Sequence, residues 1–183
     1  MRAVVVYESM YGNTRSVAEA IGAGLSAAFQ VDVVPVDKAD HQSLERADLV
    51  VVGGPTHVHG MSRPSTRQSA VAAAAKPDSE LTLDPDAEGP GLRKWFSSLS
   101  TSHAKAAAFD TRIDLPAMFT GRASKGIARR LRRLGLDLVV APESFLVTKQ
   151  NHLEPDEVTR ARQWGSRLAE RLAADSAPAD RRG

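Results

Sequence analysis

An α/β fold, a five-stranded parallel sheet held between layers of helices, is what this sequence predicts, and three observations carry the prediction. Short β-branched runs alternate along the chain with segments of helical period, the pattern of parallel strands joined by helical crossovers. Leu49 to Val52 is continuously apolar rather than alternating, as a strand covered on both faces must be. The first run, Ala3 to Tyr7, gives way at once to E-S-M-Y-G-N-T, Glu8 to Thr14, just ahead of a helical pattern. Small, hydroxyl and glycine residues between a strand and a helix present free backbone N–H groups to an anion, at the strand end where such sheets bind ligands.

The elements follow in order. From Thr14, which stands where an N-cap would, a helix reaches about Phe29 with Val17, Ile21, Leu25 and Ala28 as its apolar stripe. Val31 to Val36 is a second strand, placed at an edge by Pro35. His41 to Ala47 is a short helix or turn. Leu49 to Gly53 is the third strand, which G-G-P-T-H-V-H-G, Gly53 to Gly60, stops and turns into a second strand-end loop. Arg63 to Ala75 is an alanine-rich helix. Residues 76–91 have no period and are rich in proline, glycine and acidic residues, a surface insertion expected to order against the site or a partner. Leu92 to Leu99 is a short helix with Trp95, Phe96 and Leu99 inward. Lys105 to Phe109 is the fourth strand, running into Asp110, Thr111 and Arg112 as a third strand-end loop. Gly121 to Leu134 is a helix with Ile127, Leu131 and Leu134 inward and Gly135 as its stop. Leu138 to Val147 is the fifth strand, interrupted by Pro142, and Glu154 to Ala174 is the closing helix, with Val158, Ala161, Trp164, Leu168 and Leu172 inward. One domain over residues 1–175 and a disordered tail over 176–183 are expected.

Composition narrows the function. The absence of cysteine removes disulfides, thiolate metal sites and cysteine nucleophiles. No apolar run approaches a membrane span, and the one before Glu8 is too short for a secretory signal, so cytoplasmic residence is expected. The net charge of +2 is near neutral. Arg122, Lys125, Arg129, Arg130, Arg132 and Arg133 form the one basic cluster, and without aromatic or groove-entering partners it reads as a solvated helix face rather than a nucleic-acid surface. His57 and His59 have no cysteine or carboxylate cluster beside them, so no metal site is expected. No G-x-S-x-G elbow supports hydrolysis, and no residue stands out as a catalytic acid or base.

Strands with ligand loops after the first, third and fourth resemble the flavodoxin fold, a three-layer sandwich of strand order 2-1-3-4-5. Ser9-Met10-Tyr11-Gly12-Asn13-Thr14 resembles the flavodoxin phosphate loop S/T-x-T-G-N-T, with Tyr11 in place of the usual threonine. S-M-Y-G, together with Gly53, Pro55 and Thr56 as G-x-P-T, is similar to the flavodoxin-like NAD(P)H:quinone oxidoreductases. The resemblance implies FMN, with its phosphate on Ser9, Met10, Tyr11, Gly12, Asn13 and Thr14. Ring contacts are implied from Pro55, Thr56, His57, Val58, His59 and Gly60 in the second loop, and from Phe109, Asp110, Thr111 and Arg112 in the third. His57 or His59 would sit at the ring edge, Asp110 and Arg112 would pair with each other or with the ring, and Lys149 to His152 would line the substrate side. Two departures matter. Flavodoxins are strongly acidic where this chain is near neutral, and they sandwich the ring between aromatic residues that these loops do not supply, so a second subunit is one expected source. The expected function is that of an FMN-binding redox flavoprotein. It is either an electron carrier for a redox partner protein or an oxidoreductase moving electrons from NAD(P)H to quinone-like acceptors, with neither nucleic acid nor membrane as partner. The alternative is a flavin-free protein-interaction module of the same fold.

Overall fold

A computed structural model describes residues 1–176 of the 183. Of the expected tail, Ser176 closes the last helix and residues 177–183 lie outside the described residues. In chain order the elements are β1 (Arg2–Tyr7), α1 (Asn13–Leu25), β2 (Gln30–Pro35), α2 (His41–Glu45), β3 (Leu49–His57), β4 (Gly60–Met61), α3 (Pro64–Ala74) and α4 (Leu92–Ser98). Then come β5 (Lys105–Ile113), α5 (Ala117–Thr120), α6 (Ala123–Arg133), β6 (Asp137–Leu138), β7 (Glu143–Val147) and α7 (Glu157–Ser176).

The parallel sheet runs β2-β1-β3-β5, and β6 and β7 share the place beyond β5. The main strands therefore take the expected order 2-1-3-4-5. The fifth strand comes in two pieces because Pro142, in the gap between β6 and β7, has no N–H to give the ladder.

Alternation along β1 sends Ala3, Val5 and Tyr7 into one core with α1 and α7, and Val4 and Val6 into a second core with α4 and α6. In the first core Phe109, Phe145 and Trp164 meet edge to face, with ring centroids 6.1 to 6.5 Å apart. Ala28 lies beyond the end of α1 and is exposed, and Val158 in the first turn of α7 is 49% exposed, so neither joins its expected stripe.

Two strands run past their expected ends. β3 continues through Gly53, Gly54 and Pro55 to His57, and β5 continues through Asp110, Thr111 and Arg112 to Ile113. Gly53 does not stop the strand; it makes room, since a Cβ there would lie 2.0 Å from Phe109 Cζ. Residues 76–91 order against the first loop. Asp84 N–H donates to Met10 O at 2.9 Å, Ala87 packs with Met10, and the Arg67 guanidinium donates to Ala87 O at 2.6 Å and to Gly89 O.

Candidate functional site

The carboxyl ends of β1, β3, β5 and β7 meet at one edge of the sheet. The loop after β1 is anchored at its first residue. Glu8 is 3% exposed, and its carboxylate accepts Leu92 N–H at 2.8 Å and the Ser62 hydroxyl, with Arg67 Nε 3.9 Å away. Ser9 Oγ then accepts Gly12 N–H at 3.1 Å, closing a turn in which Gly12 takes φ of +90°, a region that side chains resist. A Cβ at Gly12 would meet nothing within 4 Å, so the space above the turn is open.

α1 starts at Asn13, and the N–H groups of Asn13, Thr14 and Arg15 have no acceptor among the described residues. They form the positive end of the helix dipole. The loop's side chains are committed elsewhere: Tyr11 Oη donates to Ala70 O at 2.9 Å, Asn13 Nδ2 donates to Asn151 O at 2.8 Å, and the Thr14 and Thr111 hydroxyls lie 2.8 Å apart. One threonine hydroxyl donates to the other, which leaves the second proton without an acceptor in that pair. Ser9 accepts from Gly12 and likewise keeps its own proton to donate. The cradle is thus main chain plus two hydroxyl protons, the donor set an oxyanion requires.

The second loop is a hairpin. β4 pairs antiparallel with the end of β3, Thr56 opposite Met61 and His57 opposite Gly60, with Val58 and His59 at φ of 44° and 69°. A bridge between His59 and Gly121 draws it to the loop after β5. Thr56 Oγ1 accepts Ala123 N–H at 2.9 Å, and the fully buried Asp110 accepts Ser124 N–H at 2.7 Å, so the two side chains cap the first turn of α6. His57 is half-buried. Burial is the largest influence and lowers its pKa; Glu8 opposes the shift and Arg67 adds to it, so the ring is neutral at pH 7.

The expected third loop needs correction. Phe109, Asp110, Thr111 and Arg112 are strand residues whose side chains point to opposite faces. Phe109 is fully buried with Phe145 and Trp164 and offers no ring at the surface. Asp110 and Arg112 share no ion pair among the described residues; Arg112 Nη1 instead donates to Leu115 O at 2.6 Å. The loop proper begins at Asp114. It carries Leu115, Met118 and Phe119, which with Ile113 and Val58 leave an apolar rim; Met118 is 80% and Phe119 65% exposed. The signal for these residues is a proline-containing apolar stretch with no period to bury it. In the Lys149 to His152 segment, Asn151 holds Asn13, at the cradle. Among the described residues no group of three or more His, Asp or Glu side chains could hold a metal, and no helix is long and apolar enough to cross a membrane.

A flavodoxin family model matches residues 5–88, from within β1 through the cradle and β3 into the segment that orders against Met10. The fold is flavodoxin-like. It is shared with a flavodoxin from the domain Archaea at a TM-score of 0.65 and 22% identity, covering 94% of this chain and 99% of that one. Oxidised flavodoxin 1 from Bacillus cereus gives 0.63 at 19% identity, covering 93% and 98%. A flavodoxin, WrbA-like protein from Agrobacterium tumefaciens gives 0.57 at 20%, covering 96% and 99%. No curated protein matches the chain.

Proposed function

We propose that this chain binds FMN, with the phosphate on Ser9 to Thr14 and the ring against the rim of the second and third loops, and serves as an NAD(P)H-dependent reductase of small quinone-like acceptors. One observation carries the reading: a main-chain anion cradle with uncommitted N–H groups at α1 lies at the same sheet edge as an apolar rim left without partners. FMN has one end that needs each. When bound it supplies the redox chemistry, accepting two electrons from a nicotinamide and passing them on singly or in pairs.

The chain's own part is to bind and orient. The Asn13, Thr14 and Arg15 N–H groups and the Ser9 hydroxyl hold the phosphate. Phe119 and Met118 offer the apolar cover that the buried Phe109 does not. His57, held neutral, donates or accepts a hydrogen bond at the ring edge without adding charge.

The exposed rim also favours a second reading, a carrier whose apolar face docks on a redox partner. FMN titration of the purified protein tests the shared premise: saturable binding with a shifted flavin absorbance supports it, and no binding in excess FMN ends it. Anaerobic addition of NADPH to the FMN-loaded protein, followed by a benzoquinone, then separates the two. Direct bleaching with turnover marks the reductase, and reduction only through another flavoprotein marks the carrier.

A further inference from the structure

The basic residues around α6 form more than a solvated helix face. Between the β3–β4 hairpin, the loop after β5 and α6 lies a cleft of about 670 Å³, a size usual for small-molecule sites. Its lining holds Arg93, Arg122, Lys125, Arg129, Arg130 and Arg133 and no carboxylate. Arg93 and Arg122 are fixed by backbone carbonyls, Arg93 Nε on Ser62 O at 2.8 Å and Arg122 Nη2 on Pro142 O at 2.6 Å. Lys125, Arg129 and Arg133 have no ion pair among the described residues. At successive i, i+4 positions they form one stripe about 12 Å long.

Helix electrostatics explain only part of this. Arginines in the last turn of α6 suit the negative end of its dipole, but Lys125 and Arg122 stand at the positive end, where cations are disfavoured. Arg130's guanidinium pKa is lowered, by burial first and then by Arg93 and Arg133. The array thus carries unrelieved like-charge repulsion in a concave site, and a polyanion relieves it.

We propose that this cleft binds a multiply phosphorylated small molecule of nucleotide size, its phosphates along Lys125, Arg129 and Arg133. Binding is independent of FMN. Where the proposed function also holds, such a ligand would extend toward His59 and Met118, which line the other end of the cleft.

The test is calorimetric titration of the full chain with ADP, and with adenosine as the phosphate-free control. ADP binds at least about tenfold tighter than adenosine and weakens with added salt. Arg129→Glu with Arg133→Glu reduces ADP affinity by about tenfold or more, and Arg129→Gln with Arg133→Gln by less. Arg132→Glu, on the same helix but outside the cleft, leaves it within about twofold. Equal affinity for adenosine, an equal loss in Arg132→Glu, or ADP binding untouched by both double variants (capture by the cradle at α1) overturns the proposal. A parallel FMN titration keeps the two readings apart: a protein that binds ADP in this pattern but never FMN retains the cleft and loses the proposed function.

Discussion

The loops after β1 and β5 lie at the same edge of the sheet and are built in opposite ways. In the first, Ser9, Tyr11, Asn13 and Thr14 are all hydrogen-bonded within the protein, and the main-chain N–H groups of Asn13, Thr14 and Arg15 have no acceptor among the described residues. In the second, Arg112 and Gly121 brace the main chain and the side chains of Leu115, Met118 and Phe119 are free. An oxyanion needs donors at fixed spacing, which a helix start supplies whatever its side chains do. An apolar surface has only side chains to offer. The family match stops at residue 88 and so takes in the loop after β1 but not the one after β5.

That contrast can be broken experimentally, most forcefully at its anchors. Glu8→Ala leaves Arg67 uncompensated and Leu92 N–H unsatisfied beneath the first loop, and should cost about 3–5 kcal/mol in urea unfolding; a loss below about 1 kcal/mol would mean the loop is not rigidly anchored. Asp110→Ala removes an acceptor from the start of α6, below the loop after β5, at a cost of about 1–3 kcal/mol by the same measurement. Gly12→Ala meets no atom but forces a side chain to φ of +90°, costing about 1–2 kcal/mol. It should also weaken FMN by roughly tenfold in a fluorescence titration. Phe119→Ser should leave stability within about 0.5 kcal/mol yet weaken FMN by several-fold, since an exposed ring contributes to ligand rather than to fold; unchanged affinity would remove Phe119 from the site. The smallest effect is that of pH. His57 is harder to protonate folded than unfolded, so below about pH 6.5 the unfolded chain binds more protons and stability falls as pH drops. Thermal melts at pH 7 and pH 5 should differ less in His57→Gln than in the parent protein.

The first loop was legible in the sequence because its signals are local: β1 ends, Ser9 and Gly12 turn the chain, and α1 begins within a few residues. The loop after β5 is not legible in the same way because its determinants are distant in sequence. Asp110, Thr111 and Arg112 look like loop residues, but each makes a hydrogen bond from its place in the ladder, Asp110 Oδ2 with Ser124, Thr111 with Thr14 and Arg112 Nη1 with Leu115, while Asp110 Oδ1 and Arg112 Nε stay buried without a partner among the described residues. Likewise Gly53 reads as a strand stop until Phe109 is seen lying against it. In the sequence Phe109 reads as a ring-facing aromatic, although alternation along β5 turns it inward, and Phe119 carries no signal because no periodic pattern contains it. The α6 arginines were visible as a cluster, but a cleft is made by the hairpin and the loop facing them.

The hairpin turn has a consequence for kinetics. Val58 and His59 take left-handed conformations that two-residue turns ordinarily assign to asparagine and glycine, and a β-branched residue there is an outlier. Its own sequence therefore does little to nucleate the turn, which depends on β3, β5 and Gly121 already being in place. The β3–β4 hairpin should form late in folding and open early in the native state, so its amides should exchange with deuterium well before those at the centre of β3.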